Sequence, residues 1–450
     1  MVFAVIAVVY REDLSEDNAR QMRALFLPFL AFSGCGPVTL DPGTVEESIP
    51  DSPPDTLVDS GSQDGADTGV EEVGGVEDFA AWVYDQSIVH TLEIELSDQA
   101  FEELYLYSEA YESSHWVEGN IVYDGERVDS IGVRLKGRWG SWRSVYQKAA
   151  FKIDFNHYVD GQVFYGLKGL TLNNMVIDYS YLREHLAYKV YEAMGVPSPR
   201  NAYTWVTVNG EAFGLYMNVE TADDVYLSRF YDDADGNLYD ADYVRWPDGS
   251  YSVLDFYTSL APLFEQEEGE DTSGDDLMAL SQMLDENAGT ADAYQTSSEW
   301  IDWDHHHRMM AAEMWTGQID GYSLNQNNYL VYFDPTDGRM DVLPWDHDYA
   351  FLHASDWGFS WYWPRGRLSG ICVADTDCQA HLKDQVREVI SQVESLDLMS
   401  QLEETRDMIL PYVEADPRKE AGMDYTIWYQ NVLKEWIMVR NAELEEMWGL

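Results

Sequence analysis

Regular alternation of hydrophobic and polar residues begins near Phe79. The segment HTLEIELSD alternates as a half-buried strand does, and the following QAFEELYLYSEA has helical spacing behind a Ser-Asp start. Alternation also predicts strands through WVEGNIVYDGERVDSIGVRLKG, with YDGE as a hairpin turn, and in KAAFKIDFN. SYLREHLAYKVYEAMG predicts a helix closed by a glycine, and AYTWVTVNGEAFGLYMNVE predicts a hairpin that turns at Asn-Gly. These patterns indicate a mixed β and α region up to about residue 243.

The second half of the chain has mainly helical periodicity. DDLMALSQMLDENA, SEWIDWDHHHRMMAAEMWTG and the chain from His381 to Leu450 predict helices. Between them, the alternating runs 328–333 and 339–343 predict a hairpin joined at DPTDG. The three histidines of DHHH point in different directions on a helix and cannot all bind one ion, so a solvated helix face is expected there. The fold class predicted from these patterns is α+β.

Residues 1–78 have a different composition. Residues 36–78 are rich in Pro, Gly, Ser, Asp and Glu, so they predict a disordered acidic tether before the domain at 79–450. The preceding run MRALFLPFLAFSGC resembles a bacterial lipoprotein signal, in which Cys35 becomes the lipidated first residue. Residues 1–35 would then be a mis-called start plus that signal. The alternatives are a plain cleaved signal and a buried segment. The lipoprotein interpretation predicts an extracytoplasmic protein anchored in a membrane, in the periplasm or at the cell surface.

The net charge argues against a nucleic-acid partner, and the cysteines indicate a local disulfide. With 82 acidic and 27 basic side chains the formal net charge is -55, which argues against binding nucleic acid through phosphate neutralisation. A cation-rich partner, a bound metal or high salt fits better, although acidity also supplies solubility. Cys372 and Cys378 in CVADTDC are close enough for a local disulfide in an oxidising compartment, whereas two cysteines alone make a poor metal site.

Acidic residues around the predicted hairpin suggest metal and phosphate chemistry. Asp346 and Asp348 follow its second strand, and residues two apart in an extended chain project from the same face. Two such carboxylates are a ligand set for a hard divalent cation that bridges to phosphate. Before the first strand, DGYSLN places Asn325 five residues after Asp320, which is the spacing of the catalytic loop of protein kinases.

A set of motifs in order along the chain resembles the CotH family of spore coat protein H kinases. The motifs are IGVRLKGRWGS, KAAFKIDF, LTLNNMVIDYSYLREHLAYKVYEAMGVPSPR, VNGEAFGLYMNVE, NNYLVYFD and LPWDHDYAF. The resemblance covers roughly residues 85–355 and the final helix with Arg440. It implies an atypical protein-kinase-like fold with two lobes, a β-rich N-terminal lobe and a mainly helical C-terminal lobe. It also implies transfer of phosphate from ATP, with Mg²⁺ or Mn²⁺, to Ser or Thr of surface or secreted proteins.

The resemblance also implies roles for basic residues of the first lobe. Lys148 is assigned as the catalytic cation on the nucleotide phosphates, with Arg134 and Lys152 as neighbours on matching strands. Glu220 is assigned to orient such a lysine or a metal. The alternative for Lys148 is an ordinary surface lysine, and Glu184 is interpreted as an ion-pair or capping residue.

In the second lobe, the resemblance implies a catalytic carboxylate and a metal site. Asp320 is assigned as the catalytic carboxylate and Asp346 as the principal metal ligand. Asn325, Asn328 and Asp348 are assigned as supporting ligands. The chain departs from typical kinases in having no GxGxxG loop, and it has Asn-Asn at 327–328 where the family usually has His-Asn.

Two other classes of function remain open. One is a catalytically silent binding or structural protein of a cell-surface assembly with the same fold. The other is a calcium-stabilised adhesin, suggested by DDADGNLYDAD, which partly resembles a calcium loop but lacks the closing bidentate Glu. Retention of Asp320, Asp346 and Lys148 favours the enzyme over the silent protein, which has no need for that set.

Overall fold

The computed structural model describes residues 78–138, 140–246 and 250–450. The predicted mis-called start plus lipoprotein signal at 1–35, with Cys35, lies outside the described residues, as does the predicted tether at 36–78 except for Asp78. Among the helices described, none combines the length and the apolar character needed to cross a membrane.

The first half of the described chain forms a closed barrel of strands with two helices. The strands pair in the order β1-β2-β3-β4-β5-β7-β6, and β1 closes the barrel by pairing in parallel with β6. The elements are β1 (His90–Leu96), α1 (Asp98–Ala110), β2 (Val117–Tyr123), β3 (Glu126–Lys136), β4 (Ala150–Asp154), β5 (Gly169–Asn173), α2 (Arg183–Ala193), β6 (Asn201–Val208) and β7 (Glu211–Val219). The strands, hairpins and helices predicted for this region are confirmed.

Local sequence explains where these elements begin and turn. The Ser97 hydroxyl accepts a hydrogen bond from the Ala100 amide at 3.1 Å and caps α1 at its N-terminus. The β2-β3 hairpin turns through Asp124 and Gly125, which both have positive φ. A two-residue hairpin turn requires this conformation, and Asp-Gly and Asn-Gly supply it at low cost. The β6-β7 hairpin uses Asn-Gly at 209–210 in the same way.

The second half contains a four-stranded sheet surrounded by helices. Its strands pair in the order β11-β8-β12-β13, with β12 and β13 as the predicted hairpin. Its elements are α3 (Asp224–Leu227), β8 (Leu238–Asp240), β9 (Val244–Arg245), β10 (Tyr251–Ser252), β11 (Glu265–Glu268), α4 (Asp275–Glu286), α5 (Ala293–Ser297), α6 (Trp303–Thr316), β12 (Tyr329–Phe333), β13 (Met340–Pro344), α7 (Arg367–Ala374), α8 (Thr376–Leu396), α9 (Leu398–Ala415) and α10 (Met423–Trp448). The described chain is therefore α+β, as predicted.

The prediction that the histidine run faces solvent is wrong. His305, His306 and His307 are 3%, 1% and 1% exposed. The reason is that α6 packs against α8, α2 and β13 and so has no solvated side at these positions. The ring of His305 donates to the carbonyl of Val342 in β13 at 2.8 Å. The exposed side of the helix carries Asp304, and the three histidines are core residues.

Three residues of the acidic segment that suggested a calcium loop form a strand of this sheet. β8 lies within DDADGNLYDAD and pairs with both β11 and β12. Tyr239 of β8 pairs with Val331 of β12 in antiparallel register. The calcium-loop interpretation stays a prediction, because only these three residues of the segment belong to the strand.

Candidate active site

The loop between α6 and β12 holds Asp320 at its centre. The Asp320 carboxylate accepts hydrogen bonds from the side-chain amides of Asn325 at 2.5 Å and of Asn327 and Asn328 at 3.1 Å each. Burial raises the pKa of Asp320 to about 6, and the negative charge of Asp346 adds to the rise, while the amides of Asn325 and Asn327 oppose it. Asp320 is therefore a poised, oriented carboxylate, suited to accept a proton near neutral pH.

Two buried carboxylates hold this loop in place. Glu313, on α6, faces the backbone amide of Ser323, with its oxygens 3.3 and 3.4 Å away. Asp255 accepts from the Tyr322 hydroxyl at 3.1 Å and from the Gln326 side-chain amide at 2.5 Å. Because both carboxylates satisfy loop donors inside the protein, they fix the backbone that carries Asp320. Neither residue was singled out from the sequence, because its partners are fixed only by the fold.

Asp346 and Asp348 lie together on the same cleft, but the backbone between them is not extended. β13 ends at Pro344, and Asp346 has φ +48°, a left-handed conformation. The Asp346 carbonyl accepts from the side-chain amides of Gln318 and Asn328, both at 2.9 Å. The expected extended geometry is corrected here: a bend tied to the Asp320 loop brings the two aspartates together. Aspartate tolerates this backbone region better than most residues do.

A lysine and a glutamate that were not assigned to the site line the same cleft. Lys136 ends β3, Glu184 lies in the first turn of α2, and both line the cleft with Asp346 and Asp348. Asn173, the last residue of β5, joins them. Lys136 Nζ donates to Asn173 Oδ1, and Asn173 Nδ2 donates to the two oxygens of Glu184 at 3.0 and 2.9 Å. The amide therefore links a cation to an anion across the floor of the cleft.

The electrostatics of the cleft suit a divalent cation. Burial raises the pKa of Asp348 well above its usual range, and the charges of Asp346, Asp320 and Glu184 raise it further, while Lys136 opposes the shift. Burial, followed by the charge of Asp346, raises the pKa of Glu184 as well. Several carboxylates that repel one another in one cleft, with carboxylate and amide oxygens as donors, form a set that Mg²⁺ or Mn²⁺ fits.

The structure does not bring Lys148 to this cleft. It lies in a turn just before β4 and is 1% exposed, with its Nζ 2.6 Å from Asp416 Oδ2. The rings of Tyr181 and Tyr216 lie 5.1 and 5.4 Å from the same ammonium group. Burial lowers the pKa of Lys148 and Asp416 opposes that change. The expected phosphate contact is corrected, because a buried partner takes up this cation and Lys136 supplies the lysine of the cleft.

Glu220 also lies apart from the carboxylates of the cleft. It follows β7, is 1% exposed, and forms ion pairs with Arg200, at 2.5 Å, and with Arg229. Its carboxylate also accepts from the Arg200 backbone amide at 3.0 Å. Two guanidinium groups thus satisfy both oxygens, and the expected role of orienting a lysine or a metal is corrected to a buried ion-pair centre.

Arg134 and Lys152 are neighbours on adjacent strands, as expected, but neither lines the cleft. The Arg134 guanidinium donates to the Ser113 carbonyl at 2.9 Å and lies over the ring of Trp116. Lys152 Nζ lies 3.9 Å from a carboxylate oxygen of Glu267. Lys136, two residues after Arg134 at the end of β3, is the basic residue of this strand that lines the cleft.

Comparison with known proteins places the chain in a family. The CotH kinase protein family matches residues 133–444. The chain belongs to this family, as the sequence motifs predicted. The inner spore coat protein H of Bacillus subtilis is 23% identical over 319 residues, covering 68% of this chain and 85% of the relative. The invasin CotH2 of Rhizopus delemar is 27% identical over 192 residues, covering 40% of this chain and 31% of the relative.

Two solved structures also match. The proinflammatory kinase CtkA of Helicobacter pylori is 10% identical, covers 66% of this chain and 94% of its own, and has a TM-score of 0.29. HipA in the Shewanella oneidensis MR-1 HipA, HipB and operator DNA complex is 10% identical, with 63% and 60% coverage and a TM-score of 0.29. At these scores the likeness defines neither the topology nor the activity of this chain.

Proposed function

We propose that this protein is an extracytoplasmic protein kinase that transfers phosphate from ATP to Ser or Thr hydroxyls of surface or secreted proteins. In this proposal the barrel and α2 act as a β-rich N-terminal lobe, and the second sheet with its helices acts as a mainly helical C-terminal lobe. Membership of the CotH kinase protein family supports a kinase in general. The acceptor residues Ser and Thr, the donor ATP and the extracytoplasmic compartment are parts of our proposal.

The observation that carries the proposal is the set of charged groups on one cleft. Asp346 and Asp348 line it together with Lys136 and Glu184, and Asp320 is linked to Asp346 through the amide of Asn328. Phosphoryl transfer requires positioned cations around the phosphates and one carboxylate at the nucleophile. The cleft provides a lysine, carboxylates suited to a divalent cation and a separate carboxylate held by amides.

Each group then has a role. Asp320 accepts the proton of the substrate hydroxyl as its oxygen bonds to the γ-phosphorus and the bond from phosphorus to the bridging oxygen of ADP breaks. Asp346 and Asp348 would hold Mg²⁺ or Mn²⁺, with Asn325 and Asn328 in support, and the ion would supply neutralisation of phosphate charge.

Lys136 takes the role that sequence motifs assigned to Lys148. Its ammonium group lies on the cleft and is held by the Asn173 side-chain oxygen. Asn173 also donates to Glu184, so the anion on α2 orients the lysine through an amide rather than by direct contact. A lysine on a strand that is oriented by a helix glutamate is the arrangement that protein kinases use on nucleotide phosphates.

The direct test is phosphate transfer by the purified full chain. Labelled ATP is added with Mg²⁺ or Mn²⁺, and both self-phosphorylation and phosphate on an added Ser- and Thr-containing protein are measured. We expect metal-dependent transfer that Asp346→Asn abolishes. Acid hydrolysis of the product should release phosphoserine or phosphothreonine. Absence of transfer with either metal, in a protein that binds no nucleotide, would exclude the kinase.

The second candidate is a silent structural or binding protein. The names of two relatives support it, because one is a spore coat protein and the other an invasin. This candidate predicts that substitutions in the cleft leave the protein's role in its assembly intact. The transfer assay and an assembly assay on Asp320→Asn and Asp346→Asn therefore separate the two.

The location is a proposal carried by the sequence alone. We propose a lipid on Cys35 that anchors the protein to a membrane outside the cytosol, where its protein substrates lie. In its native host, Cys35→Ser should move the protein from the membrane fraction to the soluble fraction. Mass spectrometry should then find no intact MRALFLPFLAFSGC peptide in the wild-type protein; its recovery at full abundance would exclude this processing.

A further inference from the structure

A second cluster of ligand-type side chains lies where α6, α7 and α8 meet. His307 comes from α6, Cys372 from α7 and Cys378 from the first turn of α8. One ligand atom from each lies within 4.8 Å of the others, and all three residues are buried. The predicted disulfide between Cys372 and Cys378 is present, with Cα atoms 5.0 Å apart. His307 Nε2 lies 3.0 Å from Cys378 Sγ, so the ring faces the sulfur directly.

A fourth ligand-type side chain adjoins this cluster. His381 follows Cys378 by three residues on α8, and side chains at this spacing share a helix face. The rings of His381 and His307 are stacked with their centroids 5.7 Å apart. His381 is exposed, whereas the other three residues are buried. It therefore connects the buried cluster to solvent and provides a route for an ion.

We propose that Cys372, Cys378, His307 and His381 form a zinc site when the disulfide is reduced. The two cysteine sulfurs and the imidazole of His307 form the compact cluster, and His381 beside it supplies the fourth group. Two thiolates and two imidazoles are a ligand set of structural zinc sites, which are tetrahedral. From the sequence, two cysteines alone make a poor metal site. The fold adds a third ligand, His307, from a helix some 65 residues earlier in the chain. The site is separate from the carboxylates of the cleft, where a hard cation is favoured.

The disulfide form and the zinc form interconvert by thiol-disulfide exchange. A thiol reductant gives two electrons and two protons to the disulfide, yielding two cysteine thiols, and is itself oxidised to a disulfide. Zinc then binds as the two thiols release their protons. A disulfide oxidant takes two electrons from the two thiolates and is reduced to two thiols with protons from the solvent, so the protein disulfide is restored and the ion is released. Both forms connect α7 to α8, so the compartment selects which of the two linkages is present.

The site adjoins the elements that carry the catalytic loop. His307 lies on α6, whose C-terminal end leads into the loop with Asp320. The first residue of α7, Arg367, donates its backbone amide at 2.8 Å to Asp255, the carboxylate that also holds Tyr322 and Gln326. A linkage between α6, α7 and α8 therefore supports the framework on which that loop rests.

Cobalt provides the spectroscopic test. The full chain carrying Cys35→Ser, which leaves only the two cysteines of the cluster, is reduced with a phosphine under anaerobic conditions and titrated with Co²⁺. We expect absorption from thiolate-to-cobalt charge transfer and the visible bands of tetrahedral Co²⁺ in the reduced protein alone. Added Zn²⁺ should displace the Co²⁺ and abolish both the charge-transfer absorption and the visible bands. Carboxylates of the cleft give no thiolate absorption, so cobalt bound there is not mistaken for this site.

Three variants test the ligand set. His307→Gln should weaken Co²⁺ binding by about tenfold or more, the scale for loss of groups that support a metal site. His381→Gln should weaken it and change the visible bands, whereas His353→Gln, an exposed histidine outside the cluster, should leave both unchanged. Equal Co²⁺ affinity of the Cys35→Ser protein with and without His307→Gln would overturn the ligand assignment. Absence of the charge-transfer bands in the reduced Cys35→Ser protein would overturn the site, whatever the histidine variants do.

Discussion

Lys148, in the turn before β4, and Asp416, which follows α9, form a buried ion pair with 2.6 Å between Nζ and Oδ2. Asp416 also accepts from the Leu215 amide of β7 at 3.1 Å. Its carboxylate packs so closely on Gly214 that a Cβ there would lie 2.1 Å from it. The pair therefore joins the barrel to the C-terminal helices, and its role is one of stability.

We expect Lys148→Met to lower the free energy of unfolding by about 3 kcal/mol or more, because it leaves Asp416 as an unpaired buried charge. The folded Lys148→Met protein should still bind ATP with unchanged affinity. Urea unfolding and calorimetry measure the two effects. Lys148→Met combined with Asp416→Leu is the matched control and should recover part of the loss. A Lys148→Met protein of normal stability that no longer binds ATP would return this lysine to the nucleotide site.

Lys136→Met should impair nucleotide binding and transfer and leave stability nearly unchanged, the opposite of Lys148→Met. The ammonium group lies on the cleft between carboxylates, so its loss should weaken nucleotide binding and slow transfer by about 10²-fold or more. Its effect on the free energy of unfolding should stay within about 1 kcal/mol, because its side chain is only half-buried. Lys152→Met, on the adjacent strand and off the cleft, is the control and should retain activity. Unchanged transfer in Lys136→Met would remove this residue from the mechanism.

Asp346→Asn and Asp320→Asn should separate metal binding from proton transfer. Asp346→Asn should weaken metal-dependent ATP binding and abolish transfer together, because the metal neutralises charge both before and during the reaction. Asp320→Asn should leave ATP binding nearly intact while slowing transfer by about 10²-fold or more, the usual scale for a positioned base. Calorimetry with ATP and Mg²⁺, paired with the transfer assay, measures both. Full activity in both variants would favour the silent structural protein.

Three carboxylates of the Asp320 loop and its supports should each make a contribution to the stability of the metal-free protein that falls as the pH rises from about 4 to about 7. The pKa values of Asp320 and Asp255 are raised to about 6, and that of Glu313 to about 7, mainly by burial. In the unfolded chain these groups titrate near pH 4. Between the two limits the folded protein holds protons that the unfolded chain has released, so each rise in pH favours unfolding.

A divalent cation should counter this loss, since it binds the ionised carboxylates of the cleft. Mg²⁺ or Mn²⁺ should raise the melting temperature more at pH 8 than at pH 5.5. Asp348→Asn should remove most of that difference, because it deletes one of the proposed ligands and much of the mutual repulsion. Thermal unfolding at both pH values, with and without the ion, measures the effect. Equal stabilisation of wild type and Asp348→Asn would place the metal elsewhere.

Local patterns in the sequence predicted most elements of the fold. The Asp-Gly and Asn-Gly turns, the alternating strands and the helix at Arg183–Ala193 follow from periodicities of two and 3.6 and from residues that tolerate positive φ. The contact between Asp320 and Asn325 also lies within a few residues of chain. Such features depend on neighbours in sequence, and the sequence therefore contains the information that specifies them.

The sequence by itself determined the α+β class, the family, the pairing of Cys372 with Cys378 and the loop that carries Asp320. Only the tertiary structure decided that Lys136 reaches the cleft while Lys148 pairs with Asp416, which lies 268 residues away along the chain. It also decided that the histidines of α6 are buried and that His307 faces Cys378. The physical reason is that a side chain's partner and its burial depend on which distant elements pack together, and periodicity along one segment contains no record of that packing.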